Sequence, residues 1–427
     1  MSDFSIARAE ALDGPAWLRA RRASAAARFA SLPLPTADDE LWRYTPIKQF
    51  DLGAYGLWRA ERPDDGQVVH NPFVDAVADR AAFVVIADGR LATAEVAEDV
   101  TELGVTVAVA DAERRLLEVP ERNAFDELHD AFVNDVVVVT VPAGVVVERP
   151  VVVLQVATGG GVASFPHLVV DAGEQSEVTV LDVWVSSAGP AYVSPVVEIQ
   201  SAAAANVRYV GVQGFGNDAW AGAHLLIAPG REATTKAWFA ALGGRYARLS
   251  IEAQLEAKAS AVDLAGVYFG EDEQVHDFRS VQDHKATRSV SNLLLKGAVV
   301  DRAHAIYTGM IKVHEGAKAT ESFLANRNLV LSDGAHVDSV PNLEIVNEND
   351  IKSCGHAAAT GPVDEEHVFY LESRGVPTEV AQRLIVFGFF DDVIRNIPVA
   401  GVRDPLRAAI TRKLEKAGPG EVAQDDA

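Results

Sequence analysis

The sequence predicts a mainly β protein built around a parallel β-helix (solenoid), with an α/β region before it and a small helical domain after it. Three observations point there. In a long central stretch, short valine-rich runs follow one another with no long helix between them. Small or turn-forming residues separate these runs repeatedly. Helical periodicity is confined to the two ends of the chain. A long central stretch without helices excludes a doubly wound α/β sheet and leaves a sandwich, a barrel or a β-helix. The small-residue corners favour the β-helix, because stacked coils bend tightly and their corners take only small or positive-φ residues.

The first region, residues 1–134, is mixed. An Ala-rich helical pattern runs from Ile6 to Ala30 and gives way to Leu32-Pro33-Leu34-Pro35. Phe83 to Ala87 reads as a strand entering a turn at Asp88-Gly89. Ala124 to Asn134 reads as a short helix with Phe125, Leu128 and Phe132 on one face.

The second region, residues 135–360, holds the β-helix. Strand-like runs are Val136 to Val141, Pro150 to Val156, Leu168 to Val170, Val178 to Val185, Val193 to Ile199, Val207 to Val212 and Leu329 to Leu331. Corners fall at Ala172-Gly173, Ala202 to Asn206, Pro229-Gly230, Asp301 to Ala303, Glu315 to Ala317 and Asp333 to Ala335. Their spacing is uneven, and no strict hexapeptide repeat is present. An uncapped solenoid end exposes unpaired strand edges, to which another chain can add.

The third region, residues 361–427, turns helical. Asp364-Glu365-Glu366 places acids at a helix N-terminus, and Gly375 closes that helix. Pro377-Thr378 starts a second helix, with an interruption expected at Gly388. Asp404-Pro405 starts a third that runs to Lys416. The polar tail, Gly418 to Ala427, reads as disordered. Three short helices after a solenoid either cap it or dock a partner.

Composition narrows the function classes. Apolar residues make up 48% and charged residues 23% of the 427, an ordinary globular balance. The one cysteine, Cys354, rules out an intramolecular disulfide and a multi-cysteine metal cage. Met1 to Arg22 lacks the apolar core of a secretory signal. No apolar run approaches the roughly 20 residues that span a bilayer. A reducing cytoplasm fits these features. The net charge of −23 repels nucleic acid and anionic lipid and favours basic partners, or serves solubility alone.

The most informative stretch is Pro341 to Ile345 followed by Asp350 to Ala357. On a strand, Cys354 and His356 are two apart and share a face. A thiol beside an imidazole suits zinc or the iron of a cluster, but two ligands do not close a four-coordinate site. The pair is therefore half of a site shared with another chain, or a small buried Cys beside a hydrogen-bonded His. A second group comprises His276-Asp277, Asp283-His284, Arg288, Asn292, Lys296, Asp301 and His304. Asp beside His can orient an imidazole for acid–base work. Turn and surface chemistry on successive coils is the simpler expectation. There is no Walker loop, nucleophile elbow or His-Glu-x-x-His pair. Trp42, Trp58, Trp220 and Trp238 look too dispersed to form one stacking surface.

These motifs together resemble the SufB/SufD family. Leu343-Glu344-Ile345, Asp350, Lys352, Cys354, His356 and Gly361 follow its signature, with Ser353 inserted and Ala357 and Ala359 in place of the usual Gly and Thr. Phe369-Tyr370-Leu371-Glu372-Ser373-Arg374-Gly375 follows downstream. Asp283-His284, Ser289, Lys296-Gly297, Gly309-Met310-Ile311, Val313, Thr320 and Asn328 to Ser332 fall in the family's order upstream. The match covers roughly Gly243 to Phe390, with an echo at Trp42-Arg43-Tyr44-Thr45. Chain length, that echo and the lone cysteine place the resemblance nearer the SufD branch than the SufB branch.

The resemblance implies a right-handed β-helix and a non-catalytic scaffold subunit of iron–sulfur cluster assembly. It implies pairing with a SufB-type homologue through the β-helix ends, or a homodimer when isolated. It also implies binding of a SufC-type ATPase through the C-terminal helices, with Phe369, Tyr370, Arg374, Phe387 and Phe389 as candidate contacts. His356 is then the candidate metal ligand, with Cys354 second, at a transient iron–sulfur cluster shared with SufB. No stable cofactor is expected in the isolated chain, and neither nucleic acid nor membrane as a partner. The alternatives are a β-helix enzyme (a polysaccharide lyase or an acyltransferase), a SufB-type primary scaffold and a stand-alone metal-binding module.

Overall fold

In a computed structural model, which describes residues 3–57, 70–158, 160–346 and 350–416, each coil of a β-helix contributes one strand to each of two long sheets. The first sheet stacks Val136–Val141, His167–Ala172, Val196–Ser201, Ala219–Pro229, Tyr246–Leu255, Val275–His284, His304–Val313 and His336–Ile345 in parallel register. The second stacks Ala82–Ala87, Val151–Ala157, Glu177–Ser186, Asn206–Gly214, Thr234–Ala241, Ala261–Gly270, Val290–Val299, Glu321–Val330 and Ser353–Gly361. The expected parallel β-helix, N-terminal α/β region and C-terminal helical part are all present.

In-register stacking turns each inward position into a column along the axis. Leu249, Phe278 and Tyr307 lie on one such column and are all buried. β-branched residues suit these pleated, doubly covered strands. Gly297 lies against the Tyr268 ring so closely that a Cβ there would overlap it.

The corners explain why the repeat is hard to read. Gln175, Ala204, Glu232, Ala259, Arg288 and Ala319, one per coil, take left-handed backbone conformations with φ between 54° and 60°. None is glycine, although glycine adopts that conformation most cheaply. Each N–H donates to a carbonyl of the next coil's corner, as from Gln175 to Ala203 (2.9 Å) and from Ala204 to Arg231 (2.8 Å). This ladder offsets the conformational cost.

The two ends differ. At the N-terminal end, Arg90–Val96 pairs antiparallel with Ala82–Ala87, and Thr106–Val109 pairs antiparallel with Val136–Val141. The short helix Glu98–Glu102 between them adds Val100 to the core. At the C-terminal end, among the described residues, His336–Ile345 and Ser353–Gly361 each pair on one side only.

The C-terminal helices do not cap that open end. Thr378–Ile394 and Arg403–Lys416 lie along the outer face of the second sheet. There Val386, Phe390, Ile394, Leu406 and Ile410 pack against Leu181, Val210, Val267, Phe269 and Val300. Lys296 pins the helix by donating to Phe389 O and Asp392 Oδ2, both at 2.7 Å. Gly388, expected to interrupt this helix, does not. A mid-helix glycine costs about 1 kcal/mol, which burying Phe390 two residues further on outweighs. The tail, Gly418 to Ala427, lies outside the described residues.

The N-terminal helices cover the first sheet. The stretch from Ile6 to Ala30 forms two helices, Ile6–Glu10 and Ala16–Ser31, separated at Gly14-Pro15. Ala124–Phe132 begins with a capping box in which Asn123 and Asp126 satisfy each other's backbone N–H groups. Arg22 is fully buried and donates to the carbonyls of Leu12, Asp13, Val133 and Asn134, tying both helices to the chain beside them.

Candidate functional site

Cys354 and His356 lie on the last strand of the second sheet, in register with Ser322 and Leu324. Those two partners face the interior and are buried. The column therefore aims Cys354 and His356 toward the solenoid axis as well, on one face. With no coil described beyond them, His356 is exposed and Cys354 is half-buried against the core. Burial pushes the Cys354 thiol above its usual range, so it carries its proton at neutral pH. A metal would have to displace that proton. At the same end of the solenoid, Phe323, Val340, Leu343 and Val346 are exposed apolar side chains on its last coil strands and the turn after them. Single exposed apolar residues are ordinary, but several at one unpaired sheet end mark an interaction surface.

The second sequence cluster does not assemble into one site. Adjacent strand residues point to opposite faces, so His276 faces inward while Asp277 faces outward. Asp277 is buried on the outer side, where it accepts from Tyr246 Oη, Arg248 Nε and Arg279 Nε at 2.7 to 2.9 Å. Arg248 and Arg279 hold its carboxyl below the usual range despite burial. His284 is sealed inside between Ser289 Oγ and Ser291 Oγ, both at 2.7 Å, and Asp283 outside binds His314 at 2.7 Å. Turn and surface chemistry was expected for this group. Arg288, Asn292 and Asp301 do sit at corners or on the surface, but His276 and His284 are buried inside the solenoid, and Asp277 and Lys296 are buried on the outer faces of the first and second sheets.

Three arrangements escape a linear reading. Trp42 and Trp220, which look dispersed in sequence, line one aromatic pocket with Phe50, Phe125, Tyr192 and Tyr246. Arg248 stacks 3.6 Å over the Trp42 ring there. A buried chain runs from Ser194 O through His129 and His167 to Glu198, with links of 2.7, 3.1 and 3.0 Å. His304, His336 and Asp338 converge on the outer face of the first sheet. Coil register unites His304 with His336, and packing of the N-terminal region onto the first sheet brings in Trp42 and His129.

The candidate docking residues on the C-terminal helices separate into two sets. Phe369 and Tyr370, on Glu365–Glu372, are 70% and 54% exposed, and Arg374 stacks 3.8 Å over the Tyr370 ring. Phe387 and Phe389 are half-buried against the second sheet's outer cluster. Among the described residues, no helix is long and apolar enough to cross a membrane.

Residues 155–389 match the sequence model of the SUF system FeS cluster assembly, SufBD core domain. That span runs from the early coils through the open end and into the helix Thr378–Ile394. The chain belongs to the SufBD family. It is 32% identical to an iron–sulfur cluster assembly SufBD family protein of Mycobacterium tuberculosis, over 90% of each chain. It is 27% identical to the iron–sulfur cluster assembly protein SufD of Bacillus subtilis, over 94% of this chain and 95% of that one. The SufD of Escherichia coli is also 27% identical, over 89% of each.

Proposed function

We propose that the chain is a non-catalytic SufD-type scaffold subunit. It pairs through the open end of its β-helix with a SufB-type homologue and binds a SufC-type ATPase through its C-terminal helices. The observation that carries this reading is the asymmetry of the solenoid. One end is closed by antiparallel strands, and the other, among the described residues, leaves His356 exposed on a strand that is paired on one side only. Pro341 removes a donor from the edge of the first sheet, whereas Ser353–Gly361 contains no proline. Addition of a partner strand is therefore easier on the sheet that carries His356.

On this reading His356 supplies a ligand to a transient iron–sulfur cluster and Cys354 a second, less accessible one. The partner completes the coordination. Phe369 and Tyr370 form the ATPase-facing surface, with Phe387 and Phe389 holding the helix behind them in place. The assembly works in the cytoplasm and needs no resident cofactor in the isolated chain, which forms a homodimer in the absence of its partner.

Co-expression with the SufB-type and SufC-type chains, followed by affinity purification and iron and sulfide assays, tests the proposal. A stoichiometric complex is expected, with His356→Ala assembling normally but retaining less iron and sulfide. Failure to co-purify with the SufB-type chain, or full cluster content in the variant, overturns the corresponding part.

A further inference from the structure

We propose that His304, His336 and Asp338 form a second metal site, three protein ligands for a borderline divalent transition metal of the zinc or ferrous class. Nothing in the scaffold reading requires it, and it lies on the other sheet from Cys354 and His356. His304 and His336 open consecutive strands of the first sheet and are register partners, which places their rings 5.2 Å apart. Asp338 is two residues beyond His336 and therefore shares its face. His304 Nε2 is 2.7 Å and His336 Nε2 3.4 Å from the same Asp338 oxygen, Oδ2. One candidate ligand atom from each of the three lies within 4.8 Å of the others. Rotation of the exposed His336 ring, with small shifts of the partly buried His304 and Asp338, brings such a set to the roughly 2.0 to 2.2 Å bonds of a zinc centre.

The donor set selects the metal. Two imidazoles and one carboxylate suit zinc, ferrous iron and their neighbours rather than calcium or magnesium, which prefer oxygen alone. Three protein ligands leave at least one position for water or for a group from another molecule. The floor of the site is apolar: Ile306 is the register partner of Asp338 in the coil beneath and is fully buried, and Val275 lies beneath His304. Because His304 belongs to the penultimate strand and the other two to the last, a bound ion would tie the terminal strand to the solenoid.

The test uses the full chain, stripped with chelator and titrated with zinc and then with cobalt. One equivalent should bind and survive His356→Ala. The cobalt form should lack the near-ultraviolet charge-transfer band of a thiolate ligand, which separates this site from one that includes Cys354. His336→Ala and Asp338→Asn should each weaken binding by at least about tenfold, since changing even residues that only support a ligand costs that much. Zinc should slow amide exchange across His336–Ile345 in the wild type and not in His304→Gln. If Asp338 merely pairs with the two imidazoles, no stoichiometric binding appears. That result, a thiolate band, or unchanged affinity in both variants overturns the proposal.

Discussion

His356 and Leu324 occupy the same interior column on adjacent coils, yet Leu324 is fully buried and His356 is exposed. The difference is positional, because one more coil would seal His356 as the last coil seals Leu324. His356→Ala should therefore leave stability within about 0.5 kcal/mol of wild type, as for other surface changes. Urea denaturation checks this, and it separates a loss of cluster content from a loss of fold. Destabilisation by several kcal/mol would mean that His356 is a packing residue.

Leu324→Ala should do the reverse. It removes a fully buried side chain beneath the last strand, at a cost of about 2 to 5 kcal/mol. The damage should concentrate in Ser353–Gly361, which among the described residues pairs only with the strand carrying Leu324. Amide exchange should accelerate there first, before the capped N-terminal coils respond. Uniform acceleration along the solenoid would show that the terminal coil does not open independently.

The C-terminal helices offer a matched pair of substitutions. Phe369 is 70% exposed, whereas Phe390 is fully buried against the second sheet. Phe369→Ala combined with Tyr370→Ala should leave the melting temperature nearly unchanged and abolish co-purification with the ATPase. Phe390→Ala should cost about 3 to 5 kcal/mol through the cavity it leaves. If the exposed double variant still binds the ATPase, the docking surface lies elsewhere on the chain.

Much of this fold is legible in sequence, and the remainder fails for identifiable reasons. The strands and the helical ends are visible because burial on both faces writes continuous valine-rich runs. The repeat is not, because its corners are left-handed residues of any type and unequal spacing: Glu232 and Ala259 are 27 residues apart, Arg288 and Ala319 are 31. Cys354 and His356 are legible as a pair because their spacing is local. His304 with His336, and Trp42 with Trp220, are not, since only coil register or the packing of the N-terminal region unites them. Whether the last helices cap the solenoid or dock a partner is left open by the sequence, because only the fold shows that the apolar residues of Thr378–Ile394 and Arg403–Lys416 match the outer sheet face rather than the sheet ends.

Buried histidines and buried acids set opposing pH dependences. Burial lowers His129 and His276 to about 3 and His284 to about 4, from 6.5. In the folded chain they stay neutral while the unfolded chain takes protons, so stability is complete above pH 6.5 and falls as pH drops toward those values. Burial raises Asp182 to about 6 and Glu252 to about 8. The folded chain then holds protons that the unfolded chain has lost, so stability falls as pH rises across about 4 to 6 and about 4.5 to 8. Near pH 5.5 the two groups largely oppose each other, and single variants should unmask each. His284→Asn should flatten the loss of stability on acidification by about one proton, or about 1.4 kcal/mol per pH unit. Glu252→Gln should steepen that loss while making the protein less sensitive to rising pH up to 8. Urea denaturation from pH 5 to 8 reads both slopes. Two variants shifting the slope in the same direction would show that burial does not govern these protonation states.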